Sequence, residues 1–325
     1  MTLLKALIIG IAGQDGYYLS NFLLHKENYH VHGVDRTEEM PLELKRKLAG
    51  IDVVDLEKHG QIGKIVERIR PEEIYFLAAH HFSSQGNENQ TGPLLPFIRV
   101  NLAAVDEVLQ VLVSGLKESR FFYAASSHIF GFPAVTPQTE LTPQRPETPY
   151  AISKSSALHA CRYYRETYGL NTSVGIMYNH ESIRRGMSFL TKQIANAAAL
   201  ACSGKPQKIY VRDLDAIVDW GTAEDYVRAM WLMLQQPCGD EYIVATGVPH
   251  TVRDFAQTAF SWVGLDAENF VIQENKSATL RRYPPYIGDP SKIKKICGWE
   301  PHISFEDLVR NMVDDEIKRI RSQSM

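Results

Sequence analysis

The first half of the chain alternates short, largely apolar runs with stretches whose apolar residues recur at helical spacing. The runs ALIIG, YHVHGVD, EEIYFLAA, RFFYAAS and TSVGIMY begin at residues 6, 29, 72, 120 and 172. Between them, residues 17–26, 62–70 and 101–115 have the period of helices that bury one face. Strands that are apolar throughout are typical of a parallel sheet covered by helices on both sides. The pattern therefore predicts an α/β fold with a Rossmann-type doubly wound parallel sheet.

After residue 178 the pattern changes to amphipathic helices separated by short strands such as KIYV and EYIVA. We predict these helices at 187–203, 222–236, 251–263 and 303–321. We therefore expect a dinucleotide-binding Rossmann domain over residues 1–178. A smaller mixed α/β domain that binds the substrate follows over residues 179–325, with some of its segments returning to the first domain.

The composition is that of an ordinary globular protein. The 325 residues are 44% hydrophobic and 22% charged, with a net charge of −3, which disfavours nucleic acid and membrane surfaces as partners. Four cysteines without CxxC spacing indicate reduced thiols and no metal site. The apolar opening leads directly into a glycine-rich turn, so we interpret it as a first strand rather than a signal peptide. We expect a cytoplasmic protein.

The turn after the first strand predicts a phosphate-binding site. In GIAGQDG, Gly10, Gly13 and Gly16 have the spacing GxxGxxG at the start of a helix, with Gln14 and Asp15 between them. Glycines allow the backbone to approach a pyrophosphate, whose charge is stabilised by the helix N-terminus. The same spacing also occurs in tight turns that bind no ligand.

The ends of the next strands support a nicotinamide dinucleotide. Asp35 closes the second strand, where a carboxylate can accept hydrogen bonds from the adenosine ribose. It would repel the additional phosphate of NADP, although Arg36 beside it could attract that group, so we favour NAD over NADP. The other strand ends predicted to contact the cofactor are Asp55 with Leu56, and Leu77 with Ala78 and Ala79.

The stretch YAASSHIFG ends the fifth run in small hydroxyl residues and a histidine. Tyr150 and Lys154 follow in TPYAISKSSA at i and i+4, so a helix places them on one face. A tyrosine ordinarily keeps its proton to about pH 10. We expect the Lys154 ammonium to stabilise the phenolate and to make Tyr150 an acid or base near neutrality. Ser126 can hydrogen-bond the same substrate oxygen.

These motifs together resemble the extended short-chain dehydrogenase/reductases, and four stretches narrow the resemblance to the GDP-mannose 4,6-dehydratase family. The stretches are GIAGQDGYYL, NHESIRRGMSFLTK, DLDAIVDWGTAEDYVRAMWLML and VATGVPHTVRDF, and the resemblance covers nearly the whole chain. It implies a Rossmann domain with a nucleotide-sugar domain, a GDP-linked sugar as substrate, and a homodimer or homotetramer.

The resemblance also implies roles for individual residues. Ser126, Tyr150 and Lys154 become the catalytic hydroxyl, the acid or base and its partner, and His180 and Arg185 contact the cofactor. Arg184 is expected to be a solvated loop residue. The residues implied to lie toward the nucleotide-sugar are Ser127, Asn179, Lys192 and, in a loop that needs an alignment gap, Arg282.

This chain departs from the family pattern at three positions. His128 stands where the family's dehydratases have the glutamate that removes the C5 proton. Histidine has a reference pKa of about 6.5 and can transfer protons, but it differs in charge and reach. Val218 replaces an arginine expected near the phosphates, and Asp35 differs from the NADP-type strand end usual in the family.

Three functions remain open on the sequence alone. The first is dehydration of a GDP-hexose through a 4-keto intermediate, with His128 acting at C5. The second is C4 oxidation, 4-keto reduction or 4-epimerisation of a GDP-hexose or heptose, which needs only the intact Ser126, Tyr150 and Lys154. The third is a non-catalytic nucleotide-binding protein, which the intact Tyr150–Lys154 pair disfavours. His80 and His81, after the fourth run, could contact the sugar or the nicotinamide, but two loop histidines more often face solvent, so we expect them to do so.

Overall fold

The structure is a computed structural model that describes residues 3–81, 92–274 and 285–323. In these ranges the strands are β1 (Leu4–Ile9), β2 (Tyr29–Asp35), β3 (Gly50–Val53), β4 (Glu73–Phe76), β5 (Arg120–Ser126), β6 (Asn171–Met177), β7 (Asn179–Glu181), β8 (Ile209–Val211), β9 (Ile217–Thr222), β10 (Glu241–Val244), β11 (Pro249–Thr251) and β12 (Val271–Gln273). The α-helices are α1 (Gln14–Leu24), α2 (Leu42–Lys47), α3 (Gln61–Ile69), α4 (Leu94–Ile98), α5 (Ala104–Gly115), α6 (Pro149–Tyr168), α7 (Leu190–Cys202), α8 (Ala223–Leu234), α9 (Val252–Trp262), α10 (Ser291–Cys297) and α11 (Phe305–Gln323). A π-helical segment, Arg99–Ala103, joins α4 to α5.

The core of the fold is a seven-stranded parallel sheet in the order β10-β6-β5-β4-β1-β2-β3. The strand order reverses direction beside β1, which is the topology of a doubly wound sheet. The predicted Rossmann-type α/β fold is therefore confirmed. The five apolar runs of the first half are β1, β2, β4, β5 and β6, and the sheet also takes its edge strand β10 from the second half.

Two apolar clusters cover the two faces of this sheet. One includes Val66 of α3, Leu109 of α5 and Leu158 of α6, and the other includes Leu19 of α1 and Met230 of α8. Because both faces are covered, polar groups from the sheet reach solvent only at strand ends. Substrates of such sheets bind at the carboxyl ends of the strands.

The remaining elements form a smaller unit in which α7, α9 and α11 share a third apolar cluster. Its strands form a three-stranded sheet, β11-β9-β7, and a two-stranded sheet, β12-β8. The sequence pattern did not predict β7, β9, β11, β12 or α10, because elements of three to seven residues are too short to show a period. Within the described ranges, the helices lack the combination of length and apolar character that a bilayer-crossing segment requires.

Helix α6 holds the predicted catalytic pair, and its start is defined by local signals. The Thr148 side chain accepts a hydrogen bond from the backbone N–H of Ala151, and Pro149 occupies the first turn. The helix ends at Gly169, whose φ is +72°. Tyr150 consequently lies in the first turn, and Lys154 lies one turn later with only 2% of its surface exposed.

Candidate active site

The turn between β1 and α1 brings three glycines into close backbone contact. Gly10 has a φ of +97°, and a Cβ atom there would lie 2.6 Å from the backbone nitrogen of Ala78. A Cβ atom at Gly16 would lie 2.3 Å from the carbonyl oxygen of Gly10. Helix α1 begins directly after Gly13, which has no side chain to cap the first N–H groups. These donors and the positive end of the helix dipole can therefore hold a pyrophosphate.

A cleft of about 600 Å³ opens beside this turn at the carboxyl ends of the strands. The predicted cofactor residues that line it are Gly10, Gly13, Gln14, Asp15, Gly16, Asp35, Arg36, Asp55, Leu56, Leu77, Ala78, Ala79 and Arg185. The lining also includes residues not assigned to the cofactor from the sequence, namely Ala12, Val34, Thr37, Val54, Glu57, His80, His81, Val100, Arg184, Gly186 and Phe189. Most of these residues are adjacent in sequence to a predicted residue, so the same turn or strand end brings them to the cleft.

Asp35 is held in a fixed orientation at the end of β2. One carboxylate oxygen accepts a hydrogen bond from the backbone N–H of Ala12 at 2.9 Å, and the other accepts one from Arg36 N–H at 2.8 Å. Each oxygen retains a further lone pair that can accept from a ribose hydroxyl. The carboxylate is thus oriented by the glycine turn and presents negative charge to one end of the cleft.

His180 contacts Asp15, which lines the cleft, through an ion pair that joins β7 to the start of α1. Its Nε2 lies 2.9 Å from Asp15 Oδ2, and its Nδ1 lies 2.8 Å from the carbonyl oxygen of Tyr178. Burial disfavours the charged forms, but the pair's mutual attraction outweighs it, so the pKa of Asp15 is lowered and that of His180 is raised. The predicted direct contact of His180 with the cofactor stays a prediction.

Arg184 and Arg185 both line the cleft, and each guanidinium lies over an aromatic ring. Arg184 lies 4.1 Å from the ring centre of Tyr17, and Arg185 lies 3.6 Å from that of Phe189. Arg185 Nε also lies 2.9 Å from a carboxylate oxygen of Glu181. The expectation that Arg184 is a solvated loop residue is therefore wrong. Its packing on α1 depends on a contact across 167 positions of the chain, which spacing does not reveal.

Ser126, Tyr150 and Lys154 meet at the carboxyl end of β5. The Ser126 hydroxyl lies beside the half-buried Tyr150 and favours the ionised form of its phenol. The Lys154 ammonium donates to the carbonyl oxygen of Ala124 at 2.7 Å and lies 5.8 Å from the ring centre of Tyr150. The helix and the strand end therefore place a hydroxyl, a phenol and an amine together, which is the arrangement that proton transfer to or from an alcohol requires.

The electrostatics of this pair differ from the sequence-based expectation. Burial raises the pKa of Tyr150 to about 12, and the Ser126 hydrogen bond and the charge of Arg185 oppose that shift only in part. Burial also lowers the pKa of Lys154 to about 7, against the opposing charge of Asp15. The expected Lys154 stabilisation of a Tyr150 phenolate is therefore wrong for the protein by itself. Desolvation dominates, so Tyr150 is a phenol at neutral pH and Lys154 titrates there.

His128 extends from the short 3₁₀ turn Ser127–Phe130 into the open part of the site, where its side chain is exposed. Its ring centre lies 6.0 Å from that of Tyr150 and 5.9 Å from that of Tyr286, with which it is stacked. The protein walls around it partly replace water and lower its pKa. Neutral imidazole, the proton-accepting form, is therefore dominant at physiological pH.

His80 is half-buried and the side chain of His81 is exposed, so solvent reaches His81 as expected. Both line the cleft. The ring of His80 packs edge-on against Phe97 at 4.6 Å, and the ring of His81 packs edge-on against Tyr150 at 5.1 Å. The signal available in the sequence was their position directly after a buried strand, where parallel sheets place ligand contacts.

The residues implied to lie toward the nucleotide-sugar have different surroundings. Ser127 is buried at the start of the 3₁₀ turn, and Asn179 is exposed on β7. Lys192 is buried on α7, where its ammonium pairs with Asp315 at 3.7 Å and lies 2.5 Å from Glu316, a carboxylate with no exposed surface. Arg282 lies outside the described residues.

Asp219 is a structural carboxylate that sequence reasoning did not single out. Its side chain is fully buried in the middle of β9, and desolvation raises its pKa. It accepts hydrogen bonds from backbone N–H groups of Thr246 and Gly247 at 2.9 Å and of Gly288 at 3.3 Å. These bonds hold the segment that carries Tyr286 against His128. The sequence could have indicated this buried carboxylate, because Asp219 is the one charged residue within the apolar stretch IVDWG.

Val218, at the position where the family has arginine, pairs through its backbone with Tyr286. A valine contributes no positive charge at this wall of the site. The loss of the family's arginine charge therefore lies next to Tyr286, the residue that stacks on His128. Among the described residues, His, Cys, Asp and Glu side chains form no group of three or more with metal-binding geometry.

Comparison with known proteins assigns this fold and motif set to one family. The family model for GDP-mannose 4,6-dehydratase matches residues 7–312. GDP-mannose 4,6 dehydratase 2 of Arabidopsis thaliana is 36% identical over 98% of this chain and 88% of its own length. Two solved structures share the fold over 98% of both chains. One is a Bacillus anthracis dTDP-glucose 4,6-dehydratase in complex with NAD (19% identity, TM-score 0.82), and the other is RMD from Pseudomonas aeruginosa complexed with NADPH (20% identity, TM-score 0.79). The chain belongs to the GDP-mannose 4,6-dehydratase family.

Proposed function

We propose that this protein is a nicotinamide-dependent nucleotide-sugar 4,6-dehydratase that acts on GDP-mannose. The observation that carries the proposal is the meeting of Ser126, Tyr150, Lys154 and His128 beside a cleft lined by a glycine turn, within a chain that matches this family over nearly its full length. Ser126, Tyr150 and Lys154 can transfer a proton to or from a substrate hydroxyl. His128 can transfer a proton to or from the carbon next to the one that bears that hydroxyl.

The cleft fits a nicotinamide dinucleotide. The backbone N–H groups at the start of α1 would hold the pyrophosphate, and Asp35 would accept from the adenosine ribose. Arg184 and Arg185 bring positive charge to the same cleft. A bound nicotinamide would supply the hydride chemistry of the reaction, removal of a hydride from C4 of the sugar and its return to C6.

The residues of the chain then account for the proton transfers. Tyr150 takes the proton of the C4 hydroxyl while Ser126 hydrogen-bonds that oxygen. Because its own pKa is about 12, the Tyr150 phenol must give up its proton as it takes this one, and Lys154, which its pKa of about 7 leaves partly neutral, accepts the proton of the phenol. The C4 ketone makes the C5 proton acidic, and His128 removes it. The C6–O bond breaks as the C5–C6 double bond forms, and the hydroxyl leaves as water with the proton from His128. Return of the hydride to C6 would leave an enolate over C4 and C5, which takes a proton at C5 from solvent through His128 as the C4 ketone re-forms; the proton lost from the C4 hydroxyl balances this one.

The direct test is to incubate the purified protein with GDP-mannose and NAD and to follow the sugar nucleotide by mass spectrometry. We expect a product lighter by one water, which corresponds to a 4-keto-6-deoxy sugar. A product that has lost two hydrogens, or one of unchanged mass with altered stereochemistry, would contradict dehydration.

A second candidate function is supported by one observation, the imidazole of His128 in place of the family's carboxylate. C4 oxidation, 4-keto reduction and 4-epimerisation of a GDP-hexose or heptose require only Ser126, Tyr150, Lys154 and the cofactor. The same mass measurement distinguishes this function, because none of these reactions releases water.

We further propose NAD rather than NADP as the cofactor, and we expect kcat/KM to favour NAD by at least about tenfold, or about 1.4 kcal/mol. The oriented Asp35 carboxylate would face the additional phosphate of NADP at short range. Asp35→Asn keeps an acceptor for Ala12 N–H but removes the negative charge. The ratio of kcat/KM for NAD to kcat/KM for NADP should therefore fall. The exposed Glu39, in the same loop, provides the control Glu39→Gln. An NADP preference in the unmodified protein would contradict the proposal.

A further inference from the structure

Five rings form a continuous row of contacts at the catalytic end of the cleft, with Tyr150 at its centre. The ring centres are separated by 5.6 Å from Phe189 to His81, 5.1 Å from His81 to Tyr150, 6.0 Å from Tyr150 to His128, and 5.9 Å from His128 to Tyr286. The two imidazoles come from neighbouring strand ends, because His81 follows β4 and His128 follows β5. Tyr150 therefore has one imidazole neighbour on either side of it in this row.

Both imidazoles are held in the neutral, proton-accepting form. Burial lowers the pKa of His81 to about 4. Each charged or titratable group that faces it acts in the same direction: Arg185 from the loop after β7, His128 after β5, Lys154 on α6 and His80 beside it in the chain. The pKa of His128, whose exposed ring is partly desolvated by the walls of the site, is lowered as well. The site thus contains two neutral bases, of which the proposed dehydration uses one.

The chemistry of a 4-keto sugar offers a substrate proton for each base. Tyr150 meets the oxygen on C4, and a ketone at C4 acidifies the hydrogens on both adjacent carbons, C3 and C5. His128 acts at C5 in the proposed function. His81, which contacts the same tyrosine from the other strand end, remains for C3.

We propose that His81 is the base for the C3 proton of a 4-keto sugar, so that this protein also catalyses proton exchange at C3. An imidazole nitrogen takes the C3 proton, a C3–C4 double bond forms, and the electron pair moves to the C4 oxygen. Tyr150 and Ser126 donate hydrogen bonds to that enolate oxygen, and the imidazolium returns a proton to C3 as the ketone re-forms. The inference rests on the proposed function only for the occurrence of a C4 ketone, not for dehydration.

The test supplies the ketone directly. The purified protein with NAD is incubated with GDP-4-keto-6-deoxymannose in D₂O, and deuterium at C3 and C5 is followed by NMR. We expect exchange at C3 about 10²-fold or more above the rate without protein. In His81→Asn the C3 rate should fall about 10²-fold while exchange at C5 persists, and in His128→Asn the C5 rate should fall instead. The exposed His30 on β2 provides the control His30→Asn.

Three results would overturn the inference: deuterium at C5 alone, C3 exchange that is unchanged in His81→Asn, or an equal loss at both carbons in that variant. Equal loss would show that His81 only supports the shape of the site. Because the keto sugar is added, this result does not depend on whether GDP-mannose is dehydrated. A protein that dehydrates GDP-mannose without C3 exchange would retain the proposed function and lose only the role of His81.

Discussion

Replacing Tyr150 by phenylalanine is expected to slow turnover of GDP-mannose by about 10³-fold, while the nicotinamide nucleotide still binds. The change removes the hydroxyl that lies beside Ser126 and that would take the proton from the C4 oxygen. It leaves the ring, so the contacts with His81 and His128 persist. The loss should therefore appear in kcat, measured by product mass, rather than in the Kd for NAD, measured by calorimetry.

Tyr163 provides a matched control on the same helix. Its side chain is 53% exposed, so Tyr163→Phe should leave both turnover and NAD binding unchanged. If Tyr150→Phe retained a tenth of the unmodified rate, the proton of the C4 hydroxyl would have to leave by another route. The assignment of the phenol as the acid or base would then be wrong.

Replacing His128 by alanine is expected to slow dehydration by about 10²- to 10³-fold and to leave oxidation at C4 intact. His128 acts after the ketone has formed, whereas the C4 hydroxyl is handled by Tyr150, Ser126 and Lys154. In a single turnover, the bound nicotinamide should therefore become reduced at close to the unmodified rate, as measured by its absorbance. The dehydrated sugar nucleotide should form slowly. Loss of both steps together would indicate a general disturbance of the site.

Two further substitutions separate proton transfer from space filling. His128→Glu places an ionisable group at the position that His128→Ala leaves empty. It should support faster dehydration than His128→Gln, because glutamine has the size of glutamate but cannot accept a proton. Equal rates in the two variants would show that His128 only fills the position.

The pH dependence of dehydration provides an independent check on His128. The active form of a base is unprotonated, so the rate falls as pH drops through its pKa. Because burial lowers the pKa of His128, dehydration in the unmodified protein should persist below the ordinary histidine value of about 6.5. Because Lys154 titrates near pH 7 in the preceding oxidation, nicotinamide reduction and formation of the dehydrated sugar are followed separately in single turnovers. A dehydration step that declines above that value while reduction does not would contradict the assignment.

The cofactor end of this protein was predictable because its signals are local. A turn that must bring Gly10 and Gly16 within contact distance restricts both positions to glycine, wherever the rest of the chain lies. An acidic residue that closes the second strand, Asp35, lies at the same cleft because the carboxyl ends of adjacent parallel strands meet there. Tyr150 and Lys154 are likewise related by a single helical turn.

The predictions that were wrong concern charges and distant neighbours. The pKa of Tyr150 follows mainly from burial, which depends on how many protein atoms surround the phenol rather than on the lysine four residues away. Arg184 packs on Tyr17 and not in solvent, and the pairing of Lys192 with Glu316, which the sequence did not suggest, spans 124 positions in the chain. Residues so far apart are brought together by packing of whole elements, and spacing along the chain does not encode such contacts.

By itself, the sequence determined the family, the Rossmann-type sheet and the residue types at the cofactor turn and the catalytic helix, because each depends on backbone geometry over short spans. Only the tertiary structure decided that His81 and His128 both contact Tyr150 and that burial holds all three uncharged. Desolvation and ring contacts are properties of the surrounding atoms, and those atoms come from strand ends, loops and a helix that the folded sheet gathers in one place.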